Sequence, residues 1–352
     1  MKVAKEFKDL EDDEMYSNLV QGYFCALNWS LHKSNPSSYP MFRDLKDNSN
    51  CITIQLDLKT VVDLAREYDE KNNHVRTMSP NAFVFHESRC GSTLVANALA
   101  AMEPKSTRVY SESWPVISAV KNCGFDGSDC PRGRAVELLR DVIYLMGRTN
   151  DENEEHLFFK VQSLGTKFIQ VFLEAFPDTP WIFVYREPVQ IMVSQFALGS
   201  RSANCVRQLH DIPQEKIEDI EEMGKSVETL TSAEKCALHL SLLCESAIEA
   251  FHYSSNGRAV NYENVIEKLI YEVIPEHFRI TMTNERAENI RMISGTYSKG
   301  RGRKKHKWKE DSTEKERNAS PEIRAAADLF LQDVYDELED EAKRMDHFHH
   351  DD

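Results

Sequence analysis

The stretch from Ala82 to Met102, AFVFHESRCGSTLVANALAAM, restricts the fold of this chain more than any other. Ala82-Phe-Val-Phe85 is a short apolar run. His86 to Ser92 is a turn of small and polar residues containing Gly91. Thr93 to Met102 reads as a helix packed through Leu94, Val95 and Leu99 and closed by Glu103-Pro104. Short apolar runs that alternate with helices belong to parallel βα units, whose strands are covered on both faces. The pattern recurs: strands are expected at Arg108–Tyr110, Leu157–Val161, Trp181–Tyr185 and Arg258–Tyr262. Helices are expected at Lys167–Phe176 and from Pro188, a residue suited to a first helical turn, to about Leu198.

A strand, a turn containing glycine and a helix N-terminus can bind phosphate or sulfate through backbone N–H groups and the helix dipole. The same arrangement is also an ordinary βα turn. The nucleotide-hydrolase form, GxxxxGK[ST], is absent. The one Gly-Lys-Ser, at 224–226, has Asp219 where the first glycine belongs and lies in an acidic, helix-like segment. Without a lysine before the Ser/Thr, Mg-ATP hydrolysis lacks the charge that bridges the terminal phosphates.

The 352 residues are 41% hydrophobic and 29% charged, enough for one enzyme-sized core with additions. A net charge of −15 disfavours a general nucleic-acid binder, so any anion site must be local. The first residues lack a signal-like apolar run and no stretch is long enough to cross a bilayer, so a soluble, cytoplasmic protein without membrane partner is expected. Eight cysteines without paired spacing read as free thiols in a reducing cytosol, with Cys123 and Cys130 able to bridge only in an oxidising place. No metal is expected. The sequons at Asn28 and Asn318 carry no meaning without secretion.

Residues 1–80 read as an N-terminal elaboration. It begins with polar helix material to about residue 33, whose apolar face includes Leu19, Val20, Tyr23 and Phe24, and continues with a strand at Cys51–Leu58 and a helix at Thr60–Tyr68. Residues 81–310 form the α/β domain. Residues 211–252 within it look mostly helical, with Ala237 to Leu243 as core. Residues 311–352 carry a final amphipathic helix from Ser320-Pro321 through Leu329, Val334 and Leu338. The segments at about 113–155 and 199–235 read as loops whose pattern identifies no ligand, and Asp-Glu-Asn-Glu-Glu at 151–155 looks like a solvated loop.

HESRCGSTLVANAL, followed by WIFVYREPVQIMVSQF, resembles the sulfotransferase family. The first family motif, P-[KR]-S-G-T-T, holds the 5′-phosphosulfate of 3′-phosphoadenosine 5′-phosphosulfate (PAPS). Arg89, Cys90, Gly91, Ser92 and Thr93 stand at its positions. The second is a strand ending in Arg, then Asp-Pro or a variant, then Ser eight residues after the Arg; Arg186, Glu187, Pro188 and Ser194 match it. The resemblance implies a P-loop-type three-layer fold with a central parallel sheet flanked by helices. It implies that Arg89 meets the sulfuryl oxygens, that Ser92 and Thr93 donate to phosphate, and that Arg186 and Ser194 bind the 3′-phosphate. Where many members carry Lys-Thr-His, with the His as base, this chain has Lys160-Val-Gln162. Lys160 is retained for the transferred group, but glutamine cannot take a proton.

Glu112 is the candidate base, at the carboxyl edge of the sheet after the short strand, where other branches place a glutamate; a solvated loop acid is the alternative. His86, inside the turn, and His156 are rival bases, and His86 could equally brace the turn. Seven of the eleven residues from Lys299 to Lys309 are Lys or Arg. The resemblance makes Lys299, Gly300 and Arg301 a lid over the cofactor and gives Asn261-Tyr262-Glu263-Asn264 a structural role. The expected activity is sulfuryl transfer from PAPS to a hydroxyl or amine of an acceptor substrate, without metal. The rival is a sulfotransferase-like binding or scaffold protein that has lost the chemistry, as Gln162 suggests.

Overall fold

The computed structural model describes residues 3–5, 20–121, 131–197, 199, 203–296, 298–301 and 312–348. Its strands, in chain order, are β1 (Val3–Lys5), β2 (Val20–Phe24), β3 (Ile54–Asp57), β4 (Arg76–Thr77), β5 (Ala82–His86), β6 (Thr107–Ser111), β7 (Arg148–Thr149), β8 (His156–Lys160), β9 (Trp181–Tyr185) and β10 (Gly257–Asn261). Five of them form one parallel sheet in the order β10-β9-β5-β8-β6. Every residue of β5, β6 and β9 is buried, as expected for strands covered by helices on both faces. The expected α/β architecture with a central parallel sheet is therefore present.

Aromatic side chains fill the space beside the central strands. Phe83 and Phe85 each meet Phe172 edge-on at 5.2 Å between ring centroids, and Trp181 stacks on Phe251 at 4.6 Å. Each buried ring contributes about 1.5–3 kcal/mol, so β5 and β9 are firmly fixed. That rigidity matters because β5 ends in the glycine-containing turn. β9 and β8 lie on either side of it, with Val84 level with both Ile182 and Lys160.

Several expectations need correction. The apolar residues near position 20 do not lie in a helix: Val20–Phe24 is a strand, paired antiparallel with β3, and the first described helix of this region is Trp29–Ser34. Pairing with a neighbouring strand overrides the helix-like spacing. The stretch 113–155 contains two helices, Trp114–Lys121 and Arg132–Gly147. Within 151–155, Glu154 is buried. It pairs with Arg108, and its carboxylate also accepts from Lys33 Nζ at 2.7 Å and Thr149 Oγ1 at 2.7 Å; Arg108 and Lys33 are distant in sequence, which made it look like a loop acid. The last helical region breaks at Leu331 into Pro321–Phe330 and Gln332–Phe348.

The free-thiol reading also fails for four cysteines. Cys25 and Cys51 lie just beyond the paired ends of β2 and β3 and form a disulfide with Cα atoms 5.4 Å apart. Cys205, on the helix Asn204–Gln208, bonds Cys236 on the long helix Ser232–Tyr253, Cα to Cα 4.7 Å. Cys90 and Cys244 are free and buried. Cys123 and Cys130 lie outside the described residues. The Cys205–Cys236 link closes a loop with a sequence separation of 31. Changing both cysteines to alanine is expected to lower stability by about 3–4 kcal/mol through the freed entropy of the unfolded chain. Urea unfolding of the double variant against the parent protein measures it, and an unchanged midpoint would disprove the link.

Candidate functional site

The turn after β5 owes its shape to three residues with positive φ: Ser88 (73°), Arg89 (61°) and Gly91 (93°). Left-handed residues are uncommon outside glycine, and successive ones turn backbone N–H groups toward one concave side, which makes an anion nest. Gly91 is needed for a second reason. A Cβ there would lie 2.1 Å from the Tyr262 ring. Ser92 and Thr93 open the helix Ser92–Met102 with nearly all of their surface buried, so the helix N-terminus points at the turn.

A cavity of about 740 Å³ lies over this turn. Among the described residues, seven cationic side chains line it (Arg43, Arg89, Lys160, Arg186, Lys299, Arg301 and Lys315), against two acids, Glu112 and Glu314. In a chain with a net charge of −15, that concentration of positive charge makes the cavity locally suited to an anion. A second cavity of about 800 Å³ shares Leu94, Arg186 and Tyr262 with the first. Tyr262 thus forms a wall of both. Its ring lies beneath the Arg186 guanidinium at 4.3 Å, a cation–π contact, and closes against Gly91.

Arg186 follows β9 directly. Its backbone N–H donates to Glu87 Oε1 at 2.6 Å, Nε donates to Gln190 Oε1 at 2.9 Å, and an η-nitrogen donates to Ser312 Oγ at 2.9 Å. The neighbouring Glu187 carboxylate is engaged elsewhere, capping the helix Pro188–Phe196 through the N–H groups of Val189 and Gln190. Glu87 is a residue that sequence reasoning missed. It is buried, its other oxygen accepts from Cys244 Sγ at 3.3 Å, and burial pushes its carboxyl up to about 8, so it braces Arg186 as a neutral acid. Ser194 lines the same cavity as Arg186, and its hydroxyl accepts from Arg89 Nε at 3.1 Å.

On the other flank of β5, Lys160 ends β8 with 1% exposure and its ammonium forms an ion pair with Glu112. Glu112 itself has φ of 53°, and its N–H donates to the Lys160 carbonyl at 2.7 Å. Gln162 donates weakly to the Glu112 carbonyl at 3.4 Å, so the residue standing where many sulfotransferases carry histidine touches the backbone of the alternative acid. Burial opposes ionisation of Glu112, but the Lys160 ammonium outweighs it and holds the carboxyl down at about 2. Burial and the Lys160 charge bring the Lys299 ammonium down to about 8.

Of the other expected residues, Cys90 packs into the core beneath the turn. Burial pushes its thiol up to about 12, which keeps it uncharged. Lys299 and Arg301 line the cavity, whereas Gly300 only joins them. This segment is tied down by residues invisible to sequence reasoning. Arg301 donates its N–H to the Ser37 carbonyl at 3.1 Å and Nε to Asp44 at 3.0 Å, and Asn97 donates to the Ser298 carbonyl at 2.9 Å. Lys307, Trp308 and Lys309 lie outside the described residues. His156 begins β8, about 13 Å along the strand from Lys160, and is thereby removed from the site. Among the described residues no cluster of His, Cys, Asp or Glu is placed to hold a metal ion, and no helix is long and apolar enough to cross a membrane.

No family model matches this chain, and no curated protein matches its sequence. The solved structures to which the chain is similar include three sulfotransferases. The sulfotransferase domain from the curacin biosynthetic pathway aligns over 72% of this chain and 98% of that one, at 11% identity and a TM-score of 0.40. A sulfotransferase from Mycobacterium tuberculosis H37Rv aligns over 75% and 84%, at 13% identity and a TM-score of 0.40. One from Alicyclobacillus acidocaldarius aligns over 75% and 96%, at 12% identity and a TM-score of 0.38. The similarity is one of fold, and likeness at this level assigns neither activity nor ligand.

Proposed function

We propose that this chain is a PAPS-dependent sulfotransferase that moves a sulfuryl group to a hydroxyl or amine of an acceptor. The observation that carries the reading is the cavity itself, in which a nest of backbone N–H groups, a helix N-terminus and seven cationic side chains converge on one edge of the sheet. Its volume of about 740 Å³ falls in the range of small-molecule sites, and the donor set suits phosphate and sulfate oxygens, so the residues fit such a donor. PAPS, when bound, supplies the activated sulfuryl group.

In this reading Arg89, Ser92, Thr93 and the turn amides hold the 5′ end, and Arg186 takes the 3′-phosphate with its fork of N–H donors. Lys299 and Arg301 close over the anion. Lys160 meets the charge that grows on the transferred group and the departing oxygen, electrostatic help arranged in advance. Once Lys160 turns to the sulfuryl oxygens, Glu112 loses its counter-charge, its proton affinity rises, and it takes the proton of the acceptor as the new S–O or S–N bond forms. The S–O bond to phosphate breaks with its electron pair leaving on the 5′-phosphate. The scaffold reading rested on Gln162; a Glu112–Lys160 pair in the same cavity, its ammonium buried and its carboxylate partly open, favours chemistry over a lost site. The two disulfides support an oxidising compartment rather than the cytoplasm.

Isothermal titration with adenosine 3′,5′-bisphosphate, against 5′-AMP and Mg-ATP, tests the reading without knowledge of the acceptor. Clear preference for the bisphosphate is expected. Equal affinity for 5′-AMP would remove the 3′-phosphate site, and tighter Mg-ATP binding would favour a kinase or hydrolase instead.

A further inference from the structure

His86 ends β5 and lines the cationic cavity with 3% exposure. Its ring is only half used. Nδ1 accepts the Ser88 N–H at 2.9 Å, which braces the left-handed turn and obliges the ring proton to sit on Nε2. Nε2 makes no well-formed hydrogen bond; the Val161 carbonyl beside the ring interacts with it only weakly. A buried N–H left without a partner costs about 1–3 kcal/mol, so its persistence in a ligand cavity calls for a ligand atom. Protonation of the ring is opposed by burial and by the Lys160 and Lys299 charges, with Glu112 the one acid on the other side. The ring in the cavity wall is therefore a neutral donor, fixed in tautomer and with Nε2 covered, among residues that would surround the transferring group.

We propose that His86, through Nε2–H, donates a hydrogen bond to a non-bridging oxygen of the sulfuryl group, and that it keeps this proton throughout the transfer. The inference rests on the PAPS reading and deepens it. The acceptor proton goes to Glu112, the phosphate–sulfur S–O bond breaks toward the phosphate, and His86 gains and loses nothing. A donor that stays neutral can follow the sulfuryl oxygens without competing with Glu112 for the proton, which excludes His86 as the base.

The test compares PAPS with adenosine 3′,5′-bisphosphate, which lacks the sulfuryl group, by titration on the parent protein and on His86→Phe and His86→Gln. His86→Phe is expected to weaken PAPS roughly ten- to a hundredfold while bisphosphate affinity stays unchanged, and His86→Gln, which keeps an N–H, to recover part of the loss. Equal weakening of both ligands would reduce His86 to a brace of the turn and overturn the inference, as would unchanged PAPS binding in His86→Phe. If the parent protein shows no preference for the bisphosphate over 5′-AMP, the PAPS reading fails first and takes the inference with it. A measurement without substitution covers the case in which the variants do not fold. Nitrogen-15 NMR of the parent protein is expected to show the Nε2–H tautomer at neutral pH, with its signal moved by PAPS and not by the bisphosphate. The opposite tautomer, or no response to PAPS, overturns the assignment.

Discussion

Replacing Glu112 by alanine or glutamine is expected to cut sulfuryl transfer by about 10²–10⁴-fold while sparing adenosine 3′,5′-bisphosphate binding, the range typical for loss of a positioned base. The sparing follows from geometry: Glu112 pairs with Lys160, on the β8 side of β5, while Arg186 follows β9 on the other side. Removing the carboxylate leaves the Lys160 ammonium, 1% exposed, without its counter-charge, so affinity for an anion should hold or rise as stability falls. The pH dependence has a definite sign. Glu112 has a folded value near 2 against an ordinary 4.5, so its contribution to stability is fully present above about 4.5 and is lost as pH falls toward 2. Acid unfolding of the parent protein should therefore steepen across that window, and the Glu112→Gln variant should lack this component. Turnover that survives the substitution would reassign the base.

Arg186→Ala is the complementary experiment. Bisphosphate binding is expected to weaken roughly ten- to a hundredfold or more, since hydrogen bonds from a charged fork to phosphate are among the strong ones, while 5′-AMP binding changes little. The backbone of Arg186 is held through its N–H on Glu87, which the substitution leaves in place, so the loss reports the side chain rather than collapse of the β9 end. Arg186→Lys keeps the charge but not the fork and should fall between. If Glu112→Ala and Arg186→Ala weaken bisphosphate binding equally, the division of roles between the two flanks of β5 is wrong.

The part of the fold that was legible from sequence is the part encoded locally. β5 and β9 are continuous apolar runs, β6, β8 and β10 carry shorter ones, all next to turn residues, and each lies within about a residue of its expected place. The turn at Gly91 and the cations Arg89, Lys160, Arg186, Lys299 and Arg301 were likewise readable, and they line one cavity. What escaped depends on partners far along the chain. Val20 to Phe24 pairs with a strand about thirty residues later; Glu154 looks like a loop acid until Arg108 and Lys33 reach it. The disulfides join cysteines with separations of 26 and 31. Glu87 gave no signal, and Tyr262 was expected only in a structural role, because burial beside Arg186 and contact with Gly91 arise only when β5, β9 and β10 are side by side.

The position of β5 between β8 and β9 has a consequence for ligand length. Lys160 and Arg186 are carried by the two strands that flank the turn, and neighbouring strands in a hydrogen-bonded ladder are spaced about 4.8 Å apart. The opening between these two cations is thus a fixed gauge, set by the ladder rather than by mobile loops. A molecule with anionic groups at both ends engages the second cation as an intramolecular event, whereas a lone sulfate or phosphate gains only one contact. Affinity should therefore climb far faster than the number of charges as a ligand grows long enough to bridge the gauge, and then stop climbing.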